Sequence, residues 1–203
     1  MSTRPLPPLS SIPPEIACVS DYRGFAKQRV TAANWAYIDG TAGDGLTAEN
    51  NQKAFQKLTL TTRVLQTLEP CHTRLTLLGM PLEHPFLIAP IAYQKLAHEQ
   101  GELATVVGAG ATQTPVVVSM QASVLWDDIA AQAQAPLWLQ LYLPAKQPDH
   151  IKRLVERAQE CGFKALVVTA DAPVSGNRNA EQRAGFQLPK SISAVNLNDF
   201  LLP

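Results

Sequence analysis

The chain has 203 residues, with 17 Lys+Arg against 17 Asp+Glu, 46% hydrophobic and 17% charged. This balance excludes an intrinsically disordered chain, which needs few apolar residues and a large net charge, and argues against nucleic acid, whose phosphates call for clustered cations. No stretch approaches the roughly 18 consecutive apolar residues of a transmembrane helix.

Residues 1–19 carry Pro5, Pro7, Pro8, Pro13 and Pro14 and read as an irregular leader, without the apolar run of a secretory signal. Ser20-Asp21 starts a helix whose apolar positions Phe25, Val30, Ala33, Trp35 and Ile38 run to Gly40. A turn over Thr41–Gly45 precedes a short helix from Thr47 to about Leu58. Arg74–Leu78 reads as a strand, followed by a turn at Gly79-Met80-Pro81.

From residue 86 onward, apolar runs alternate with helical patterns. Expected strands are Phe86–Ala89, Val116–Ser119, Leu137–Leu141 and Ala165–Val168. Expected helices are Glu99–Ala111, Ser123–Gln132 and Pro148–Gly162. Four βα-type units with continuous apolar strands indicate a parallel sheet covered on both faces. An open doubly wound sheet and part of a (β/α)8 barrel both satisfy this pattern. Ala89-Pro90, Ser119, Gln140 with Tyr142, and Thr169 with Asp171 put chemistry-bearing groups at all four strand ends, which favours a ring of loops around one site, and so the barrel.

Gly108-Ala109-Gly110-Ala111-Thr112-Gln113 resembles a dinucleotide fingerprint but lacks the third glycine and follows a helix, so close helix packing explains it better. His72, His84, His98 and His150 have no metal-ligand spacing. His98, just before Glu99 and Glu102, suits a capping or hydrogen-bonding role. Cys18, Cys71 and Cys161 are odd in number and scattered, which points to a reducing compartment, the cytoplasm, with neither a disulfide framework nor a zinc site. Gln140-x-Tyr142 puts two polar side chains on one face of a strand end, although a tyrosine with its body in the core and its hydroxyl in water would look the same. Arg178 falls in a loop after the fourth strand, where it is either solvated or a bidentate carboxylate grip.

Taken together, the motifs resemble the FMN-dependent α-hydroxy acid oxidising family of glycolate oxidase, lactate oxidase and flavocytochrome lactate dehydrogenase. The resemblance rests on Tyr37-Ile38-Asp39-Gly40 through Asp44, Ala54-Phe55, Thr62–Leu65, Ala89–His98, Gly101-Glu102, Gln140-Leu141-Tyr142, Thr169–Pro173, and Gly176 with Arg178, in family order over about residues 20–190. It implies a (β/α)8-barrel fold, of which this chain carries the first four βα units after an N-terminal helical segment. Residues 20–203 would then be the N-terminal portion of an FMN hydroxy acid dehydrogenase domain.

The resemblance also implies roles. Tyr37 and Arg178 hold the substrate carboxylate. Tyr142 hydrogen-bonds the substrate and helps stabilise the transition state. Ala89, Pro90, Ile91 and Ala92 lay backbone against the flavin ring. Ser119, Gln140 and Thr169 bond its polar edge. The cofactor is FMN and the substrate a small L-2-hydroxy acid. Departures from the family pattern are Gln121, Ile91, His98-Glu99-Gln100 without the usual proline, and Asn177 and Asn179 beside Arg178.

The family's catalytic histidine base, a second carboxylate-binding arginine, a lysine near flavin N1 and the phosphate-binding loops have no counterpart in these residues. The expectation is therefore half a barrel with open apolar edges, active only with a complementing C-terminal half, in cis or from another chain, or as a homo-oligomer. The competing expectations are an inactive flavoprotein remnant serving as an interaction protein, and a small open-sheet nucleotide binder.

Overall fold

The computed structural model describes residues 5–67, 69–143, 148–171 and 174–200. In chain order the elements are α1 (Tyr22–Lys27), α2 (Ala32–Asp39), α3 (Leu46–Gln56), β1 (Leu75–Leu77), β2 (Met80–Leu82), α4 (Glu102–Ala111), β3 (Val116–Ser119), α5 (Trp126–Gln132), β4 (Leu137–Leu141), α6 (Pro148–Glu160), β5 (Ala165–Val168) and α7 (Asn179–Ala184). Short 3₁₀ turns occupy Val19–Asp21, Gln94–Leu96 and Val195–Phe200. The chain divides into two compact units, Met1–His72 with Val174–Gln187, and Thr73–Pro173 with Leu188–Pro203.

The first unit is helical. The single helix expected from Ser20 to Gly40 is two, because Thr31 adopts an extended backbone and its hydroxyl accepts the Asn34 N–H at 3.1 Å, capping α2 afresh. α2 packs on α7. Among the described residues, no side chain of this unit is fully buried, and Phe55 and Leu60 are 77% and 95% exposed.

The second unit opens with a hairpin. Leu78 and Gly79 both have positive φ, so the turn is the two-residue kind that matches strand twist, and Met80-Pro81 begins the return strand instead of belonging to the turn. The strand expected at Phe86–Ala89 reduces to one parallel bridge, Ile88 to Val116, held by Ile88 N–H to Pro115 O and Val117 N–H to Ile88 O, both 2.9 Å. Pro85 and Pro90 flank it and have no N–H to extend a ladder. Next to it β3, β4 and β5 form a parallel sheet in that order, with Ser119 opposite Gln140 and Gln140 opposite Val167.

Burial explains why these strands are continuous apolar runs. Every residue of β3 and β4 is buried, so neither face tolerates a polar alternation. Val116, Val118, Leu137, Leu139 and Leu141 face a core shared with α4, α5 and α6. α6 meets it through Ile151, Leu154, Val155 and Ala158, the i, i+3, i+4, i+7 stripe of an amphipathic helix. Gly108–Ala111 lies inside α4, where a Cβ on Gly110 would come within 3.0 Å of Gln134 Cβ; the glycine serves packing. β5 is different: Leu166 and Val168 remain 44% and 48% exposed at the sheet's edge. Asn196 closes this unit. Its Oδ1 accepts the Trp126 N–H and its Nδ2 donates to Val124 O, both at 2.9 Å, with Asn196 itself 1% exposed.

Candidate functional site

Two clusters gather the expected site residues, one in each unit. In the second unit, the C-terminal ends of adjacent parallel strands bring Ser119, Gln140 and Thr169 into one hydrogen-bonded run. Ser119 Oγ donates to Gln140 Oε1 at 3.3 Å, and Gln140 Nε2 donates to Thr169 Oγ1 at 2.9 Å. Register makes this possible: Ser119 and Gln140 are cross-strand partners, and Thr169 stands two residues past Val167, the partner of Gln140 on the other side. Thr169 N–H continues the ladder to Leu141 O at 2.9 Å. Ser119 and Gln140 are 4% and 3% exposed. A buried carboxamide is costly unless its groups are paired. This one is oriented at both ends, with Oε1 toward Ser119 and Nε2 toward Thr169. A second Nε2 hydrogen and the Thr169 hydroxyl hydrogen are then left as neighbouring donors.

Ala89, Pro90 and Ile91 follow the Ile88 bridge and are exposed, Ile91 at 56%, and Ala92 is half-buried. Tyr93 turns the chain with φ +54°, and its N–H bonds Gln121 O at 3.2 Å. Tyr142 sits one residue beyond β4, 40% exposed, with its N–H on Met120 Sδ at 3.1 Å. Asp171 ends the described part of its loop; Ala172 and Pro173 of the same motif lie outside the described residues.

Sequence reasoning missed the anchor behind these loops. Glu102, 2% exposed, accepts Gln94 N–H at 3.2 Å and Ser123 N–H at 2.9 Å on Oε1, and the Ser123 hydroxyl at 2.8 Å on Oε2. It ties the loop after Ala89–Ala92 to the loop after Ser119. The signal was present in Gly101-Glu102: Gly101 has φ +51°, and a Cβ there would fall 2.9 Å from Lys95 Cγ. That backbone starts α4 at Glu102, whereas the expected start was Glu99. His98 uses Nδ1 to accept Gln100 N–H at 3.2 Å just before this corner.

In the first unit Tyr37 and Arg178 are brought together across a sequence separation of 141 residues. Arg178, immediately before α7, donates from Nη2 to the Tyr37 carbonyl at 2.6 Å and from Nε to Glu181 Oε1. Its Cζ lies 5.9 Å from the Tyr37 ring centroid, and that ring stacks on Phe186 at 4.9 Å. Gly43 N–H to Asn177 O at 2.8 Å holds the loop in place.

A parallel βαβαβ sheet with a polar run across its strand ends defines a class: α/β proteins whose chemistry gathers at the C-terminal ends of their strands. The family model described as FMN-dependent dehydrogenase matches residues 26–203, and the chain belongs to that family. The L-lactate oxidase of Alicycliphilus denitrificans is 37% identical over 196 residues, covering 97% of this chain and 53% of that protein. The 2-hydroxyacid oxidase 2 of Mus musculus is 36% identical over 185 residues, covering 90% and 52%. A peroxisomal (S)-2-hydroxyacid oxidase of Arabidopsis thaliana is 34% identical over 167 residues, covering 82% and 46%.

Among solved structures, an active chimera of (S)-mandelate dehydrogenase superposes with TM-score 0.85 at 26% identity, covering 92% of this chain and 52% of that one. A mandelate oxidase variant carrying a C4a-OH-FMN adduct gives 0.82 at 30%, covering 87% and 53%. The fold is therefore that of the barrel enzymes of this family, and the chain spans about half the length of the relatives it matches. No helix among the described residues is long and apolar enough to cross a membrane.

Proposed function

We propose that this chain is the N-terminal half of an FMN-dependent enzyme that oxidises a small L-2-hydroxy acid, lactate- or glycolate-like, to the 2-oxo acid. The observation that carries the reading is the oriented run Ser119–Gln140–Thr169. Its neighbouring donors suit the carbonyl- and nitrogen-bearing edge of an isoalloxazine. The backbone of Ala89, Pro90, Ile91 and Ala92 would lie against the ring, and the exposure of the first three fits that role. FMN, when bound, supplies the two-electron acceptor.

The protein's own part is orientation and electrostatics. Tyr37 and Arg178 would hold the substrate carboxylate, the planar guanidinium matching it with parallel N–H bonds. The half-exposed Tyr142 would direct its phenol at the substrate oxygen that develops charge. General-base removal of the hydroxyl proton needs a group that this set of residues lacks; the reading assigns it, with the phosphate-binding loops, to the half of the relatives not matched here. Residues 20–203 would form one portion of that catalytic domain. The exposed Leu166 and Val168 on β5 fit a strand edge completed by further barrel units. Three free cysteines, Cys18, Cys71 and Cys161, fit a reducing compartment, for which we favour the cytoplasm.

The test is co-expression with the C-terminal half of an L-lactate oxidase. The complex is expected to co-purify with flavin and oxidise L-lactate, while the chain alone with FMN does not. Arg178→Lys in the complex is expected to raise KM and lower kcat by losing the paired N–H grip. Robust turnover by the chain alone, or soluble complexes that hold no flavin, would refute the reading; the second result favours an inactive remnant.

A further inference from the structure

The guanidinium of Arg178 is engaged along one edge. Nε donates to Glu181 and Nη2 to the Tyr37 carbonyl, and these two groups project on the same side of the planar fork. Nη1 has no partner among the described residues. Two features make the arrangement specific. The Tyr37 carbonyl is one of the last four of α2, which no N–H of that helix can satisfy, so Nη2 closes a helix end. Gly40 shapes that helix end: a Cβ there would lie 2.1 Å from Ala36 O, while Nη2 would stand at an ordinary contact distance of 3.5 Å. Glu181 arrives by helix geometry, three residues after Arg178 in the first turn of α7, with its side chain 20% exposed.

We propose that Glu181 is a positioning residue that fixes Arg178 so that a 2-hydroxy acid carboxylate is met end-on, by Nη1 and the second hydrogen of Nη2. This rests on the assignment of Arg178 to the carboxylate site. The side edge, the other fork able to take a carboxylate, is filled by the protein itself. A guanidinium held at two points loses little rotamer freedom when the ligand arrives. Holding and competing predict opposite signs. If Glu181 only competed for the cation, its removal would tighten ligand binding; if it positions the fork, its removal weakens binding.

The first readout uses the chain alone and needs no activity. In nitrogen-15-labelled protein, the Nε–H of Arg178 is expected to exchange with water more slowly than that of exposed Arg183. Exchange should accelerate about tenfold in Glu181→Ala, the factor corresponding to one lost charge-assisted hydrogen bond. Equal exchange at Arg178 and Arg183 in the wild type overturns the proposal. The second readout uses the FMN-loaded complex with the C-terminal half. Glu181→Ala is expected to raise the KM for L-lactate about tenfold while kcat changes by less than about threefold. Glu181→Gln, which keeps an acceptor at the same reach, should recover most of the loss, and it covers the case in which the alanine variant unfolds α7. A KM that falls or stays unchanged in Glu181→Ala, or no recovery in Glu181→Gln, overturns the proposal. A wild-type complex that holds flavin without turnover overturns the functional reading and with it the ligand, whereas the exchange readout still decides whether Glu181 holds Arg178.

Discussion

Replacing Glu102 by alanine removes three acceptor contacts at once. The carboxylate is 2% exposed, and the Ser123 it serves is 3% exposed. Alanine strands the N–H groups of Gln94 and Ser123, previously bonded at 3.2 and 2.9 Å. The Ser123 hydroxyl, bonded at 2.8 Å, can rotate to another partner and is left out of the reckoning. An orphaned buried donor such as the Ser123 N–H costs about 1–3 kcal/mol, and the part-buried Gln94 N–H adds about 1 kcal/mol, so the loss is roughly 2–4 kcal/mol, a large fraction of the ~5–15 kcal/mol that holds a typical domain together. Glu102→Gln keeps Oε1 for both N–H groups and sets an amide against Ser123 Oγ, which already accepts Lys95 N–H at 3.1 Å. That change should cost only about 1 kcal/mol. Urea unfolding followed by circular dichroism measures both, read as a shifted midpoint at constant slope. Because Glu102 pins the loops behind Ala89–Ala92 and Ser119, the alanine variant should also hold less FMN in the complemented complex. A Glu102→Ala protein within about 0.5 kcal/mol of wild type, or a glutamine variant as damaged as the alanine one, refutes the account.

Two further outcomes test other parts of the structure. Asn196→Ala leaves the buried Trp126 N–H and Val124 carbonyl unpaired and is expected to cost about 2–4 kcal/mol in the same urea assay; a cost under about 0.5 kcal/mol would remove Asn196 as the closing staple. Asp127 should titrate below the ordinary carboxylate range, because Arg157 Nη2 donates to its carboxylate at 3.0 Å. With the folded value depressed, its contribution to stability is fully present above the unfolded pKa of about 4 and is lost as pH falls through the folded one. Carboxyl-carbon NMR is expected to show this, with Arg157→Gln returning Asp127 to the normal range; an ordinary value in the intact protein contradicts the pairing.

Local chemistry made β3 and β4 legible, because strands buried on both faces are almost wholly apolar; β5, half-exposed at the sheet's edge, was legible from its short apolar run Ala165–Val168. α6 was legible from its apolar stripe. The boundaries that slipped did so for backbone reasons. Thr31 caps a second helix where periodicity alone ran straight through. The left-handed pair Leu78-Gly79 moved the hairpin turn upstream. Gly101 delayed α4 by three residues. The strand expected at Phe86–Ala89 kept only its bridge, since the flanking prolines offer no donors.

Ser119, Gln140 and Thr169 were recognisable one at a time as polar residues at the ends of apolar strands, and motif order named the family. That the three form one donor-to-acceptor run depends on parallel register, which aligns residues 21 and 29 apart in sequence. Glu181 carries no such mark, and Gly101-Glu102 marked a family motif without showing what Glu102 would hold. A glutamate in a helix's first turn is ordinary as a sequence feature, and only the tertiary structure decides whether it faces water, two backbone amides or an arginine. Sequence thus settled which segments must be apolar and which residues are chemically able to serve a site, because those are properties of short stretches. Packing settled which polar groups meet, because a hydrogen bond depends on angstrom-scale approach between segments far apart along the chain.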